Sequence, residues 1–335
     1  MAYLMHTIIC CQTFTAAPQL LEWPAEWGRF CGEECMKSSG SIMALAVALV
    51  ALSPSLAGAA TKAEIARGDY LVNGPVACGN CHTPRDAKMQ PIEDKAFAGG
   101  FPFSDPGFQS FSANITPDKE TGLGNWTDAE IIHAIREGAN KDGRIIFPPM
   151  PVPTYNNMSD DDVKAIVAYL RTLKPIKNEI PMAKYSIPQA TMPPAKGLPA
   201  PPKTDKVAYG GYIVNALSHC FECHTSPGAN GAPDFKNGLG AGGFEIVLGP
   251  GVNVRTANIT SDPETGLGKW TDAEIKTAIV DGIGPKGGHL APPMPYSNFK
   301  KMTNEDLDAV VAYLRTVPPI KNKVERTDFQ MKAFP

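Results

Sequence analysis

Strong charge of either sign is missing from this chain: 31 lysines and arginines face 34 aspartates and glutamates, for a net charge of −3. That balance offers no electrostatic footing for nucleic acid or for an anionic membrane surface. Long apolar runs are missing too. One run, Ile42 to Leu52, is too short for a confident membrane span, and no membrane segment or lipidation motif follows the motifs described below. Alternation of apolar and polar residues over a useful length is absent, so the pattern asks for helices and loops and not for strands. Cysteine is scarce, with eight residues, and histidine scarcer, with six.

Glycine (31) and proline (32) are abundant, well above average usage. The chain is therefore globular but loop-rich, and at 335 residues it is long enough for two or three domains. Its first 59 residues differ from the rest. Met36-Lys37, the short apolar run and Ala57-Gly58-Ala59 form the order of a secretory signal peptide over 36–59, cleaved after Ala59; a retained anchor is the alternative. Residues 1–35 carry no usable pattern and read as an over-extended N-terminus, with Met36 the initiator. Removing both segments removes Cys10, Cys11, Cys31 and Cys35. Four cysteines then remain, all inside two short motifs, which leaves none for a structural disulfide.

Those motifs are Cys78-Gly79-Asn80-Cys81-His82 and Cys220-Phe221-Glu222-Cys223-His224. A C-x-x-C-H run reads as a c-type haem attachment site: two thiols take the vinyl groups of one porphyrin, and the neighbouring histidine falls under the iron. A zinc half-site or a redox C-x-x-C is the competing reading of a single copy. The recurrence decides for haem, two covalently bound groups in all. A porphyrin buried in each unit also supplies apolar surface that a small loop-rich unit cannot bury from its own side chains.

The recurrence belongs to a longer internal repeat. Cys78 to Cys220 is an offset of 142, while Trp126 to Trp270, Met150 to Met294 and Tyr169 to Tyr313 are each 144. The chain divides into one domain over 60–180, a proline-rich linker of extended type over 181–205, and a second domain over 206–335. The expected fold is all-α, two tandem domains each wrapped around one haem and separable at the linker. Lys62 to Val72 and Lys206 to Val214 are first helices. Thr127-Asp128-Ala129-Glu130 and Thr271-Asp272-Ala273-Glu274 are capping boxes, with Gly138 and Gly282 as stops. The last helices start at Ser159 and Thr303. Gly68 and Tyr70 would let the first helix cross closely against Tyr169 and Leu170 of the last.

The sixth iron ligand decides the chemistry. His133, His219 and His289 have Thr277, Ala77 and Ile145 as repeat partners, so none belongs to the shared design. Met150 and Met294 are matched, each strapped by prolines in Pro-Pro-Met-Pro, and a thioether held that way is an axial donor. Met158 and Met302 are the rival pair, better read as packing residues one position before a helix cap. For the acceptor of the imidazole N–H, Pro91 and Pro233 stand nine residues past each histidine, although a plain turn accounts for them as well. Trp126 and Trp270 read either as donors to a propionate or as core. Arg144, with Gly288 opposite, reads as a surface or partner contact.

These residues resemble the class I cytochrome c family, and more narrowly the multihaem cytochrome c subunits of bacterial periplasmic dehydrogenases acting on alcohols, aldehydes or gluconate. The likeness rests on C-x-x-C-H-T, on Asn-Ile-Thr followed by Thr-Gly-Leu-Gly-x-Trp-Thr-Asp-Ala-Glu-Ile, and on Met-Pro followed by Ala-Tyr-Leu-Arg-Thr. It implies His82 and His224 as proximal ligands and Met150 and Met294 as distal ones. It also implies an exported electron-transfer protein with no catalytic residues. Its partners would be a periplasmic or membrane-bound dehydrogenase and a downstream acceptor, with membrane association only through a partner. Many such relatives have three haem motifs where this chain has two. A dihaem enzyme, such as a cytochrome c peroxidase or a thiosulfate-oxidising cytochrome, is the alternative; the symmetric methionines weigh against it.

Overall fold

The computed structural model describes residues 59–325 apart from 106, 230, 250 and 251. The over-extended N-terminus and the signal peptide up to residue 58 therefore lie outside the described residues. The first repeat holds α1 (Lys62–Asn73), α2 (Cys78–His82), a hairpin of β1 (Pro102–Asp105) and β2 (Phe108–Phe111), then α3 (Asp128–Glu137), α4 (Val152–Tyr155) and α5 (Asp160–Leu170). After a two-residue strand β3 (Lys184–Tyr185), the second repeat runs α6 (Lys206–Tyr212), α7 (Cys220–His224), β4 (Glu245–Gly249), β5 (Val252–Arg255), α8 (Asp272–Asp281), α9 (Tyr296–Phe299) and α10 (Asn304–Leu314).

Local chemistry sets the helix ends. Thr127 and Thr271 each accept from the amide three residues on, while Glu130 and Glu274 reach back to the threonine amides. Both helices stop at a left-handed glycine, Gly138 and Gly282, the only residue type that enters that conformation without a Cβ penalty. Ser159 and Thr303 cap α5 and α10 by accepting from Asp162 N and Asp306 N.

In each repeat the first helix crosses the last at a glycine. A Cβ on Gly68 would lie 1.9 Å from the Ala165 carbonyl oxygen, and one on Gly210 would lie 1.8 Å from that of Ala309. The backbones touch there, and Leu71, Val72, Val163, Ile166 and Val167 fill the flanks. Arg171 ties the end of α5 back to the start of α3, donating to the carbonyls of Leu123 (2.8 Å) and Trp126 (2.5 Å) and to Asp128. Arg315 does the same with Leu267, Trp270 and Asp272. This is what the Gly-Leu-Gly-x-Trp-Thr-Asp block and the Leu-Arg-Thr ending do for each other.

One expectation needs correction. The repeats are helix-rich but not all-α, since β1–β2–β3 and β4–β5 form two small antiparallel sheets. Their strands run only two to five residues, and β1 is mostly exposed; Ser110 of β2 and Val254 of β5 turn inward, but runs this short do not stand out as strands in the sequence. The two repeats also pack against each other more closely than a linker alone requires: Leu71, Ile166, Ile213, Leu217 and Val311 belong to one continuous apolar cluster. The linker is laid along the first repeat, with Met192 N on the Glu137 carbonyl (3.0 Å) and Pro193 O accepting from Asn156.

Candidate functional site

The helices α2 and α7 put the two cysteines of each motif three residues apart, on one face, with the histidine in the same turn. Each is entered through a left-handed residue that is not glycine, Ala77 (φ 53°) and His219 (φ 43°). Such a conformation is strained, and its recurrence marks the entry as a shared requirement. Just upstream, a widened turn repeats as well: Val76 N bonds to Leu71 O (3.0 Å), and Ser218 N to Ile213 O (2.8 Å).

Among the described residues the four motif cysteines form no disulfide. Burial pushes Cys78 and Cys220 up to about 12 and Cys223 to about 11, and it raises Cys81 despite the opposing charge of Arg85. Burial therefore disfavours the thiolate form at each of them. Burial also lowers the pKa of both His82 and His224.

Each imidazole is oriented by a backbone carbonyl. His82 Nδ1 donates to Ala113 O and His224 Nδ1 to Ala257 O, both at 2.8 Å. That bond fixes the tautomer and leaves Nε2 with its lone pair for a metal. The expected acceptors, Pro91 and Pro233, instead form short β-bridges with Arg85 and Pro227. They close a turn, and the ring nitrogens bond to the alanine carbonyls.

The alanine carbonyls are themselves held in place. Gly99 N donates to His82 O (2.7 Å) and Gly242 N to His224 O (2.8 Å), and a Cβ on either glycine would meet the following alanine's carbonyl carbon at 2.4 Å. Next to the alanines stand Asn114 and Asn258. Asn114 donates to Ile176 O (2.7 Å) and Thr121 Oγ1, and accepts from Thr116; Asn258 repeats this with Ile320, Thr265 and Thr260. The Asn-Ile-Thr block thus pins the carbonyl loop to the chain that follows the last helix. The β-hairpins close between glycine and alanine, with Gly100 N on Ser112 O and Gly243 N on Thr256 O. They are spacers that bring the carbonyl back to the ring.

Met150 and Met294 are half-buried against the core, each just before a short helix, α4 or α9. In the first repeat Tyr185 Oη donates to Pro148 O (2.8 Å) and Gln189 to Phe147 O, so the linker steadies this methionine segment. Met158 and Met302 are only 1% and 7% exposed and lie inside the apolar cluster. Of the unmatched histidines, His133 pairs with Glu137 (2.7 Å) and His289 is exposed. Trp126 and Trp270 pack partly buried against the core.

Among the described residues no group of three or more His, Cys, Asp or Glu is arranged to hold a bare metal ion. Zinc wants four protein donors in a closed tetrahedral site. Each motif offers one free imidazole nitrogen beside two thiols, one donor short of that set, and this fits an iron whose equatorial donors come from a porphyrin.

Comparison with known proteins agrees. The cytochrome c family model matches residues 65–174 and 208–318, one match per repeat. The cytochrome c subunit of the quinone alcohol dehydrogenase of Gluconobacter oxydans is 32% identical, over 83% of this chain and 60% of its own length. The fructose dehydrogenase cytochrome subunit of Gluconobacter japonicus is 31% identical, over 77% of this chain and 54% of its own. A diheme cytochrome c-type protein of Cereibacter sphaeroides is 26% identical, over 77% and 87%. The chain thus spans little more than half the length of the two dehydrogenase subunits. With both C-x-x-C-H helices inside matched segments, the chain belongs to the cytochrome c family, whose domains carry covalently bound haem c.

Proposed function

We propose that this chain is a periplasmic dihaem c-type cytochrome that carries electrons from a partner dehydrogenase toward a downstream acceptor and performs no bond chemistry itself. The observation that carries the reading is the doubled site: two attachment helices, each with its imidazole locked on a backbone carbonyl and each matched by a half-buried methionine. Cys78, Cys81, Cys220 and Cys223 would bind two haems through thioethers. His82 and His224 would be the proximal ligands through Nε2, and Met150 and Met294 the distal ones. A haem held between imidazole and thioether supplies a closed one-electron site of relatively high potential.

The chain's part is to hold both axial groups still. The Ala113 and Ala257 carbonyls fix the rings, and the proline-flanked segments fix the methionines, so little rearranges when the charge changes. The dehydrogenase partner is supported by the names of the two relatives from Gluconobacter. Two haems are supported by the two family matches and by the relative named as diheme. Among the described residues no helix is long and apolar enough to cross a membrane.

The test is expression with an export signal and haem maturation. The mature protein is expected to start near Ala60, to carry two covalent haems, to show the near-infrared band of methionine-ligated ferric haem, and to leave carbon monoxide unbound. Met150→Ala and Met294→Ala should each remove about half of that band and open one iron. One haem, bound zinc, or carbon monoxide binding by the unaltered protein would overturn the reading, the last in favour of a dihaem enzyme.

A further inference from the structure

The two repeats reach into each other at places related by the repeat itself. Tyr70 of α1 donates its hydroxyl to Asp306 Oδ2 at the start of α10 (2.6 Å) and accepts from Thr303 N (3.3 Å). Its counterpart Tyr212 of α6 donates to Asp162 Oδ2 at the start of α5 (2.8 Å) and accepts from Ser159 N (3.0 Å). Each tyrosine therefore completes the N-terminal cap of the other repeat's last helix. The two carboxylates are buried, their side chains 7% (Asp162) and 1% (Asp306) exposed. Asp162 is otherwise held by Arg67 of its own repeat. Asp306 is held by Lys203 of the linker (2.8 Å), with Tyr209 Oη at 3.5 Å. A buried carboxylate keeps its partners because water is not there to replace them.

The same exchange runs through the sites. Thr154, four residues past Met150, donates to Glu222 Oε1 (2.7 Å), between the cysteines of the second motif. Asn298, at the matching place past Met294, donates to Asn73 O (3.0 Å), and Asn80, between the cysteines of the first motif, reaches Pro293 O beside Met294 (3.5 Å). The Tyr155 and His219 rings meet edge to face, 6.2 Å between centroids. Each methionine segment thus lies against the other repeat's attachment helix.

From this geometry we infer that Tyr70 and Tyr212 are positioning residues that lock the repeats into one two-fold-related pair, so that electrons pass between the two haems inside the chain. The inference rests on the dihaem reading above. With both haems bound, the transfer would move one electron between them; no bond would form or break and no proton would move.

The test uses the haem-loaded full chain with a protease site placed at Leu198, an exposed linker position. Haem content is measured first: a chain without two covalent haems overturns the dihaem reading, while the behaviour of the cut pieces still judges the interface. After cleavage, the fragments of the otherwise unaltered protein are expected to co-elute and to keep the split Soret circular dichroism of two neighbouring haems. In Tyr70→Phe/Tyr212→Phe, the uncut protein should keep both haems and both midpoint potentials, lose at least half of the split signal and slow inter-haem equilibration at least tenfold. Its cut fragments should bind each other at least tenfold more weakly. If the double variant is not exported, each single variant should show a smaller loss of the same kind. Unaltered fragments that separate, or variants with unchanged signal, rate and association, would overturn the inference.

Discussion

Between its two cysteines the first repeat carries Asn80, whose side-chain and backbone oxygens both accept from Arg85 Nη2. At the same place the second repeat carries Glu222, and Arg85 is replaced by Pro227. Ala77, the strained residue that enters the first attachment helix, becomes His219 in the second. The first methionine segment is steadied by Tyr185 and Gln189 of the linker, whereas Tyr296 of the second donates to Ala291 O (3.1 Å) of its own strand of chain. By contrast, the arginine ties, the Asn-Ile-Thr pins, the capping boxes and the imidazole–carbonyl bonds recur almost distance for distance. The bonds that recur build a cradle. Those that differ cluster around the attachment helices, where they alter charge and leave the scaffold unchanged.

The largest effect tests the shared part. Gly68→Ala and Gly210→Ala each drive a Cβ into a backbone carbonyl, which no rotamer change relieves, so each should cost about 3 kcal/mol or more. Thermal unfolding should show losses of similar size in both. A large loss in one repeat alone would mean that the crossings are not equivalent. Next come the buried methionines. Met158→Ala should cost about 2–5 kcal/mol and Met302→Ala less, in line with their burial, and both should leave the near-infrared band intact. Loss of the band in these variants would move the distal ligands to these positions.

A difference between repeats enters with pH. Burial holds His219 down to about 4, against an ordinary value of 6.5. Below pH 6.5 the unfolded chain takes up a proton that the folded chain refuses, so this group's contribution is full above 6.5 and falls away toward pH 4. With the ring partly exposed, the loss is up to about 2 kcal/mol. The groups facing it are the Tyr155 ring and the Glu222 carboxylate, 4.0 Å away. Glu222 acts in the opposite sense: burial raises it to about 7, so its contribution grows as pH falls from 7 toward its unfolded value. His219→Ala should therefore make the protein gain stability, relative to the unaltered chain, as pH drops from 6.5 to 4 in urea unfolding series. Parallel pH curves for the two proteins would show that the histidine is already solvated.

Most of the helical frame was legible because caps are short local signals. Thr127 with Glu130, Thr271 with Glu274, Ser159 and Thr303 each announce a helix start, and Gly68 announced the close crossing. The hairpins were missed because their strands are so short: even Val252-Asn253-Val254-Arg255, which alternates and buries Val254, cannot be told from a loop by its pattern. Within the site, cysteines and histidines were explicit, but the groups that orient the rings are backbone carbonyls of Ala113 and Ala257, and an alanine side chain says nothing about its carbonyl. The available signal was the neighbouring Asn-Ile-Thr, recurring at the repeat offset. Tyr70 was read as part of its own repeat's helix crossing, and the structure sends its hydroxyl to the other repeat. Matched polar residues such as Tyr70/Tyr212 and Asp162/Asp306 are visible in sequence, but which copy pairs with which is decided only when the repeats pack.

The smallest effect bears most directly on function. Arg85 is a permanent cation gripping the first attachment helix, and Glu222 is a partly buried carboxyl in the second, ionised at alkaline pH. A positive charge favours the reduced iron and a negative charge the oxidised one, so the first repeat should have the higher midpoint potential. Partly buried charges of this kind act at an effective dielectric of about 20, so each should shift a one-electron potential by about tens of millivolts. Redox titration at alkaline pH should show Arg85→Gln lowering the higher potential and Glu222→Gln raising the lower one, with the gap smallest when both are changed. Because Glu222 also accepts from Thr154 of the first repeat, its substitution should shift both potentials, the second repeat's more. If Arg85→Gln instead widens the gap, the order of the two sites is reversed and the local charges are not what separates them.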